Sequence, residues 1–214
     1  GALTGTAPSL TYTPTGEYAG ADSFTFTVND GTVDSSAGTV TITVNAVNDA
    51  PTLDAISDVA VDEDATPSDI ALAGVDEGGG ADEDSQTLTL TASSSDTAVL
   101  ADPTVTGTTL SFAAAVADAN GTATVTVTVD DGEASNNTVT QTFTVTVSAV
   151  NDAPALAAIG AQSTDEDTPL TVALSAPDVD GESVTFTAES DNADVVPTLA
   201  NETSSSADLT LTAT

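Results

Sequence analysis

The sequence predicts an all-β fold of antiparallel β-sandwich domains arranged head to tail. Three observations predict it: apolar and polar residues alternate with a period of two, turn residues separate the alternating runs, and the same landmarks recur along the chain. An alternating run buries one face of a strand and exposes the other, which is the pattern of a half-buried antiparallel sheet. Regular short strands at this spacing are typical of a sandwich with about seven strands per ~100 residues.

Seven segments alternate clearly enough to be predicted as strands. Thr occupies most of their polar faces, and Val, Ile, Leu or Phe occupies the other, which suits a pleated, half-buried surface. Asn-Asp-Gly, Asp-Asp-Gly and Asp-Gly sequences between the runs are typical hairpin turns. The predicted strands are Ser23–Val28, Thr39–Val44, Gln86–Thr91, Ala123–Val129, Val139–Val147, Leu170–Leu174 and Ser183–Ala188.

Internal repetition is the strongest evidence for more than one domain. Three unrelated landmarks recur at offsets of 101 to 103 residues, which indicates a genuine repeat. The paired segments are Val47–Pro51 with Val150–Pro154, Asp62-Glu63-Asp64 with Asp165-Glu166-Asp167, and Gly20–Gly31 with Gly121–Gly132.

The repeat boundaries predict one complete domain between two halves. Residues 51–152 form a complete repeat, residues 1–50 the later strands of one, and residues 153–214 the opening strands of another. A half sandwich exposes a sheet edge and an apolar face, so we expect residues 153–214 to be completed by residues 1–50 of the next unit. The junction could be covalent or a strand exchange between identical copies. The alternative is that the two ends are arbitrary cuts.

The charge is of a single sign and excludes several functions. The chain has 34 acidic residues, no Lys, no Arg and no His, for a formal net charge of −34. Nucleic acid and anionic lipid are therefore poor partners. The sequence also contains no run of ~18 apolar residues, so membrane insertion is not predicted. The hydrophobic content of 39% and the regular alternation argue against the disorder that acidic composition often signals.

The residue types also leave little room for catalysis. Nucleophilic triads need a His or Lys base, and zinc sites of the usual kind need His or Cys; the chain has none of these. Paired carboxylates remain, as in glycosidases, but there is no Trp to form a sugar-stacking cleft. We therefore predict that the chain is not an enzyme.

Clusters of acidic and amide side chains predict calcium at the domain junctions. Calcium takes six to eight oxygen ligands, and crowded carboxylates repel one another until a cation bridges them. Chain direction predicts that Asn48-Asp49 meets the Asp82-Glu83-Asp84 loop and Asp130-Asp131 at the first junction. The second junction is predicted to hold Asp62-Glu63-Asp64, Asn151-Asp152, Asp178 and Asp180, and the junctions with another copy Asp165-Glu166-Asp167 and Asn29-Asp30. The alternative for each cluster is a solvated turn, because Asp and Asn favour turns for backbone reasons alone.

Leu3–Pro14, Gly20–Gly31 and Val47–Pro51 together resemble the cadherin-like and tandem-95-type Ig-like repeats of large bacterial surface adhesins. The Val-Asn-Asp-Ala-Pro linker is similar to the linker that joins cadherin domains around calcium. This resemblance implies an Ig-like sandwich, extracellular display, many copies in series and often calcium between domains. The chain departs from those relatives that form Lys–Asn cross-links, because it has no Lys with which to form one.

Two functions are compatible with these observations. The first is a structural repeat of an extracellular bacterial fibre or adhesin stalk, polymerised head to tail and rigidified by calcium. The second is a ligand- or glycan-binding adhesin module, which exposed aromatic residues and long irregular loops would favour. Short polar turns and similar repeats favour the first. Asn120, Asn136 and Asn201 fit the glycosylation sequon, although unmodified loop Asn is the simpler interpretation.

Overall fold

The computed structural model describes residues 1–213, and every regular element in that range is a β-strand. The all-β prediction is confirmed. Those residues include no helix long and apolar enough to cross a membrane. The chain divides into two compact units, Gly1–Ser148 and Ala149–Thr214, and the last residue of the predicted 153–214 segment, Thr214, lies outside the described residues. The strands are β1 (Ala2–Thr6), β2 (Ser9–Thr13), β3 (Gly20–Phe26), β4 (Gly38–Val44), β5 (Val59–Asp62), β6 (Ile70–Ala71), β7 (Thr89–Ser94), β8 (Thr104–Thr106), β9 (Thr109–Ser111), β10 (Gly121–Asp130), β11 (Thr138–Ser148), β12 (Leu170–Ser175), β13 (Val195–Ala200) and β14 (Ser206–Ala213).

Seven strands, β5 to β11, lie inside the predicted complete repeat and form two sheets. One sheet has the order β5-β11-β10-β7 and the other β6-β9-β8. Strand β5 runs parallel to β11 in the register Val59 with Val145, and the other pairs are antiparallel. The long hairpin β10–β11 extends from Gly121 opposite Val147 to Asp130 opposite Thr138. The strand number agrees with the prediction; the exact limits 51 and 152 stay predictions.

Alternate residues of β10 form the centre of the hydrophobic core. The side chains of Ala123, Val125, Val127 and Val129 have no solvent exposure, whereas the Thr residues between them lie on the outer face. They pack with residues of both sheets, including Leu110 of β9. Full burial of a Val or Leu side chain contributes about 1.5–3 kcal/mol relative to exposure. Two apolar faces meeting in this way define a β-sandwich.

The first 44 residues form two hairpins that match the second half of the complete repeat. Hairpin β1–β2 corresponds to β8–β9, and β3–β4 corresponds to β10–β11. The predicted strands at Ser23–Val28 and Thr39–Val44 are therefore confirmed to within three residues. The apolar side of these hairpins is open, and Leu10, Phe26 and Val28 remain about half exposed or more.

The second unit contains one sheet with the order β12-β14-β13, all antiparallel. This is the order of β6-β9-β8 in the complete repeat. The prediction of a strand at Ser183–Ala188 is wrong, since those residues form no ladder. The corresponding strand of the complete repeat, β7, pairs with β10, and the described part of the second unit has no equivalent of β10. The burial of Val184, Phe186 and Ala188 therefore still alternates, and the Val184 N–H donates to the Ser204 carbonyl at 3.1 Å, but no β-ladder forms.

The two equivalent leucines of β2 and β9 provide a matched test of the core. Leu110→Ala should lower the free energy of unfolding of the complete repeat by about 2–5 kcal/mol, because it leaves a cavity in a closed core. Leu10→Ala, at the same register position of the open hairpin, should change it far less. Denaturant unfolding of both variants measures the difference, and equal losses would contradict the placement of the core.

Candidate metal centre

Asn48 connects the linker to two loops of the complete repeat. Its Nδ2 donates hydrogen bonds to Asp131 Oδ2 at 3.1 Å and to the Ser135 carbonyl at 2.9 Å. Its Oδ1 accepts a hydrogen bond from Gln86 Nε2 at 2.6 Å. One side chain therefore holds the linker, the loop between β6 and β7, and the loop between β10 and β11 together.

Asp49 follows in the linker and faces the same loop. Its backbone N–H lies 3.4 Å from Glu83 Oε1, and Gln86 Nε2 donates to the other Glu83 oxygen. The Glu83 side chain is almost completely buried, as is Asp131. Two carboxylates are thus withdrawn from water in a chain without a side-chain cation, and such burial is costly unless hydrogen bonds or a bound cation compensate.

Glu17 reaches the same place from the preceding half-repeat. It lies in the turn before β3 with φ of +58°, a left-handed conformation uncommon for a residue with a side chain. A hydrogen bond with Asp49, then repulsion from that carboxylate, desolvation and the charges of Asp82 and Glu83 raise the pKa of Glu17 above its ordinary value of 4.5. A cavity of about 310 Å³ is lined by Glu17, Asp49 and Asp82. Carboxylates from two repeats therefore converge on one space.

The first predicted cluster is largely brought together. Asn48, Asp49, Glu83 and Asp131 are in hydrogen-bond contact with one another or through Gln86, and Asp82 shares the cavity with Asp49. Asp84 is exposed on the same loop. Asp130 instead closes a local turn, since its Oδ1 accepts a hydrogen bond from the Gly132 N–H at 2.7 Å. For Asp130 the solvated-turn alternative describes the geometry better.

The turn after β5 forms a separate acidic group. Asp62 ends the strand, the Glu63 side chain is buried, and the Glu63 N–H donates to the Ser148 carbonyl at 2.9 Å. Asp64 has a left-handed φ of +64°, and one of its carboxylate oxygens lies within 4.8 Å of one from Asp118. The predicted meeting of this turn with residues of the second unit stays a prediction.

The second unit repeats part of the linker geometry. Asn151 Nδ2 donates to the Asp152 carbonyl at 3.0 Å, as Asn48 does to the Asp49 carbonyl. The Asp152 N–H donates to Asp180 Oδ2 at 2.7 Å. Asp180 also belongs to a group in which the carboxylates of Asp178, Asp180 and Glu182 lie within 4.8 Å of one another.

The clusters assigned to a junction with another copy form local turns. Asp30 Oδ1 accepts hydrogen bonds from the Val33 and Thr32 N–H groups, which lower the pKa of Asp30 below its ordinary value. Asn29 Nδ2 donates to Asp34 Oδ1 at 2.6 Å. Asp165, Glu166 and Asp167 are exposed in the turn before β12. Their role at a further junction stays a prediction.

Four residues of these sites are absent from the sequence-based set: Glu17, Gln86, Asp118 and Glu182. Glu17 and Asp118 occupy equivalent turns before β3 and β10, with φ values of +58° and +56°. The offset of 101 residues between them is the signal that could have identified both. The donors at the Asn48-Asp49 linker are carboxylate and amide oxygens, which are the ligands that suit calcium.

The Glu17 carboxylate provides a test of the metal-free site. A raised folded-state pKa means that this group's contribution to stability is complete below its unfolded pKa and is lost as the pH rises through the folded pKa. Without metal, Glu17→Gln should therefore raise the melting temperature at pH 7 and have little effect near pH 4. Glu189→Gln removes an exposed charge and is the control; equal shifts in both variants would contradict the crowding at Glu17.

Comparison with known proteins adds one sequence match and several structural ones. Residues 1–43 match a sequence family described as a bacterial Ig domain, whereas no curated protein matches the chain. Similar solved structures include the human desmocollin-1 ectodomain, at 16% identity and TM-score 0.38 over 81% of this chain and 33% of that chain. Human mucin-like protocadherin EC1-2 aligns at 17% identity and TM-score 0.41 over 70% and 79% of the two chains.

Protocadherin gamma B7 extracellular cadherin domains 1–4 align at 16% identity and TM-score 0.40, over 92% of this chain and 50% of that chain. The chain spans about a third of the length of the desmocollin-1 ectodomain. The matched family residues contain β1 to β3 and all of β4 except its last residue, and so cover the two hairpins that precede the linker. Over that segment the predicted resemblance to bacterial Ig-like repeats is confirmed.

Proposed function

We propose that this chain is a non-enzymatic structural repeat of an extracellular bacterial fibre or adhesin stalk, with calcium at the junction between its repeats. The observation that carries the proposal is the convergence of Glu17, Asp49 and Asp82 on one cavity beside the buried Glu83 and Asp131. The bacterial Ig domain match over residues 1–43 supports the surface location.

The physical reason for a cation is the balance of charge at the linker. The hydrogen bonds of Asn48 and Gln86 stabilise Glu83 and Asp131 without neutralising them. Repulsion among Glu17, Asp49, Asp82 and Glu83 remains, as the raised pKa of Glu17 indicates. A divalent cation would remove that repulsion and supply the bridge that no Lys or Arg can provide.

Calcium at this position would stiffen the linker. Glu17 belongs to the half-repeat before the linker, Asp49 to the linker, and Asp82 to the repeat that follows. An ion shared among the three joins the two repeats, so rotation about residues 45–50 would break its coordination. Glu17, Asp49, Asp82, Glu83 and Asp131 are the residues that would hold it.

Calcium should therefore raise the melting temperature of the intact chain, and EDTA should reverse the effect. At about 100 times its dissociation constant, a ligand adds about 2.7 kcal/mol to the free energy of unfolding. Asp49→Asn should lose most of the response, whereas Asp69→Asn, an exposed residue on the complete repeat, should retain it. Magnesium at equal ionic strength controls for screening. A wild-type chain indifferent to calcium would contradict the calcium part of the proposal.

Head-to-tail assembly is the second part of the proposal. The described part of the second unit has the single sheet β12-β14-β13, and hairpin β3–β4 corresponds to the β10–β11 hairpin, which lies in the opposite sheet of the complete repeat. We propose that the β3–β4 hairpin of an identical copy, joined covalently or not, completes the second unit. Hairpin β1–β2 repeats the position of β13–β14 and takes no place in that shared sandwich.

Electron microscopy and light scattering test the assembly. A filament should show an axial repeat of roughly 80–100 Å, the length of two sandwiches with strands at ~3.3 Å per residue. Phe26→Ala weakens the open apolar face of hairpin β3–β4 and should lower the assembled fraction, while Leu110→Ala should act on folding. A chain that remains monomeric at every concentration would overturn the assembly part.

A glycan-binding adhesin module is the second candidate function. The groove beside β2 and β3 is lined by Pro8, Leu10, Phe24 and Phe26 and has a volume of about 430 Å³, so it offers two aromatic rings. Binding of glycans to the monomeric chain, lost in Phe26→Ala, would favour this function over the stalk.

A further inference from the structure

Three consecutive glycines lie where the complete repeat approaches the preceding half-repeat. Gly78, Gly79 and Gly80 belong to the long loop between β6 and β7. A Cβ added at Gly80 would lie 2.2 Å from the backbone oxygen of Glu17. A Cβ added at Gly79 would lie 2.2 Å from Asp49 Oδ2 and 2.5 Å from Glu17 Oε2. At Gly80 the neighbouring atom belongs to the backbone, whereas at Gly79 the neighbouring atoms are the ends of two side chains that would have to shift.

Backbone conformation does not account for these two glycines. Gly78 has φ of +110°, which favours glycine by itself, but Gly79 and Gly80 lie outside the left-handed region. The requirement at Gly79 and Gly80 is therefore space for the Glu17 turn and for the Asp49 carboxylate.

The loop is also ordered by its own hydrogen bonds, unlike a flexible glycine linker. The Gly78 N–H donates to Asp76 Oδ1 at 3.1 Å, and the Gly80 carbonyl accepts from the Glu83 N–H at 3.0 Å. These bonds hold the glycine run in place within the same loop as the buried Glu83. The second unit has the single Gly181 in its corresponding loop, so the glycine run belongs to the first junction alone within this sequence.

We propose that Gly79 and Gly80 are positioning residues that form a seat for the Glu17 turn. Gly80 leaves space for the backbone of that turn to approach, and Gly79 leaves room for the Glu17 and Asp49 carboxylates to face each other. The Gly79 role rests on the proposed calcium function, whereas the Gly80 role is a packing contact that needs no metal. The seat makes the first junction a specific interface between two particular repeats.

Three alanine variants of the full chain test the seat: Gly79→Ala, Gly80→Ala and, as the matched control, Gly16→Ala. Gly16 precedes Glu17, has no atom within 4 Å of an added Cβ and lies outside the left-handed region. In EDTA, Gly80→Ala should lower the melting temperature by several degrees because the Glu17 backbone must move. Gly79→Ala should resemble wild type in EDTA, because only the ends of two side chains must move.

Calorimetric titration with calcium then separates the two roles. Gly79→Ala should weaken calcium binding by about tenfold or more, as loss of positioning around a metal does, while Gly16→Ala should bind like wild type. If Gly79→Ala binds calcium with wild-type affinity, the role of Gly79 is wrong. If metal-free Gly80→Ala melts at the same temperature as metal-free Gly16→Ala, the role of Gly80 is wrong. If wild type binds no calcium, the calcium part of the proposed function and the Gly79 role fail together, and the EDTA comparison still decides the role of Gly80.

Discussion

The chain has many carboxylates and no side-chain cation to pair with them, and this imbalance constrains the rest of the structure. Of the 34 acidic residues, four lie within strands: Asp22, Asp62, Asp130 and Asp208. The others occupy turns, loops and linkers, where water and backbone N–H groups can solvate them. The sheet faces are built from neutral residues, Val toward the core and Thr toward solvent. The apolar core and the charged side chains therefore occupy different parts of the fold. Most strands contain no charged residue.

Where carboxylates are buried, neutral donors replace the absent cations. Asp131 accepts hydrogen bonds from the Asn48 side chain and the Glu133 N–H, and Glu83 accepts from Gln86 and from the Asp49 N–H. Such bonds to a charged acceptor contribute about 1.5–3 kcal/mol each, which offsets burial but leaves the charge in place. The residual charge accumulates at the linker because the loops of adjacent repeats meet there. This accumulated charge is the reason for which we propose a calcium site at the linker.

The sequence alone was sufficient for the elements whose signal is local and periodic. The alternation of Thr and Val from Gly121 to Asp130 predicted β10, and the recurring linker predicted that Asn48 and Asp49 approach Glu83 and Asp131. Ser183–Ala188 shows the limit of this reasoning, because a strand also needs a partner and alternation does not supply one. The role of the Gly78–Gly80 run was not found because it arises from a close approach between loops distant in sequence, which composition does not encode. Glu17 was overlooked although its repeat-related position to Asp118 was visible in the sequence.

The parallel pairing of β5 and β11 has a mechanical consequence. Strand β5 begins the complete repeat and β11 ends it, so tension applied along the chain pulls the two strands past each other along their own axes. Their hydrogen bonds, from Val59 with Val145 to Asp62 with Ser148, are then loaded together in shear. An antiparallel hairpin pulled apart at its open end loses its bonds one at a time. The short parallel ladder therefore acts as a clamp, and the force needed to unfold the repeat depends on four residue pairs at its edge.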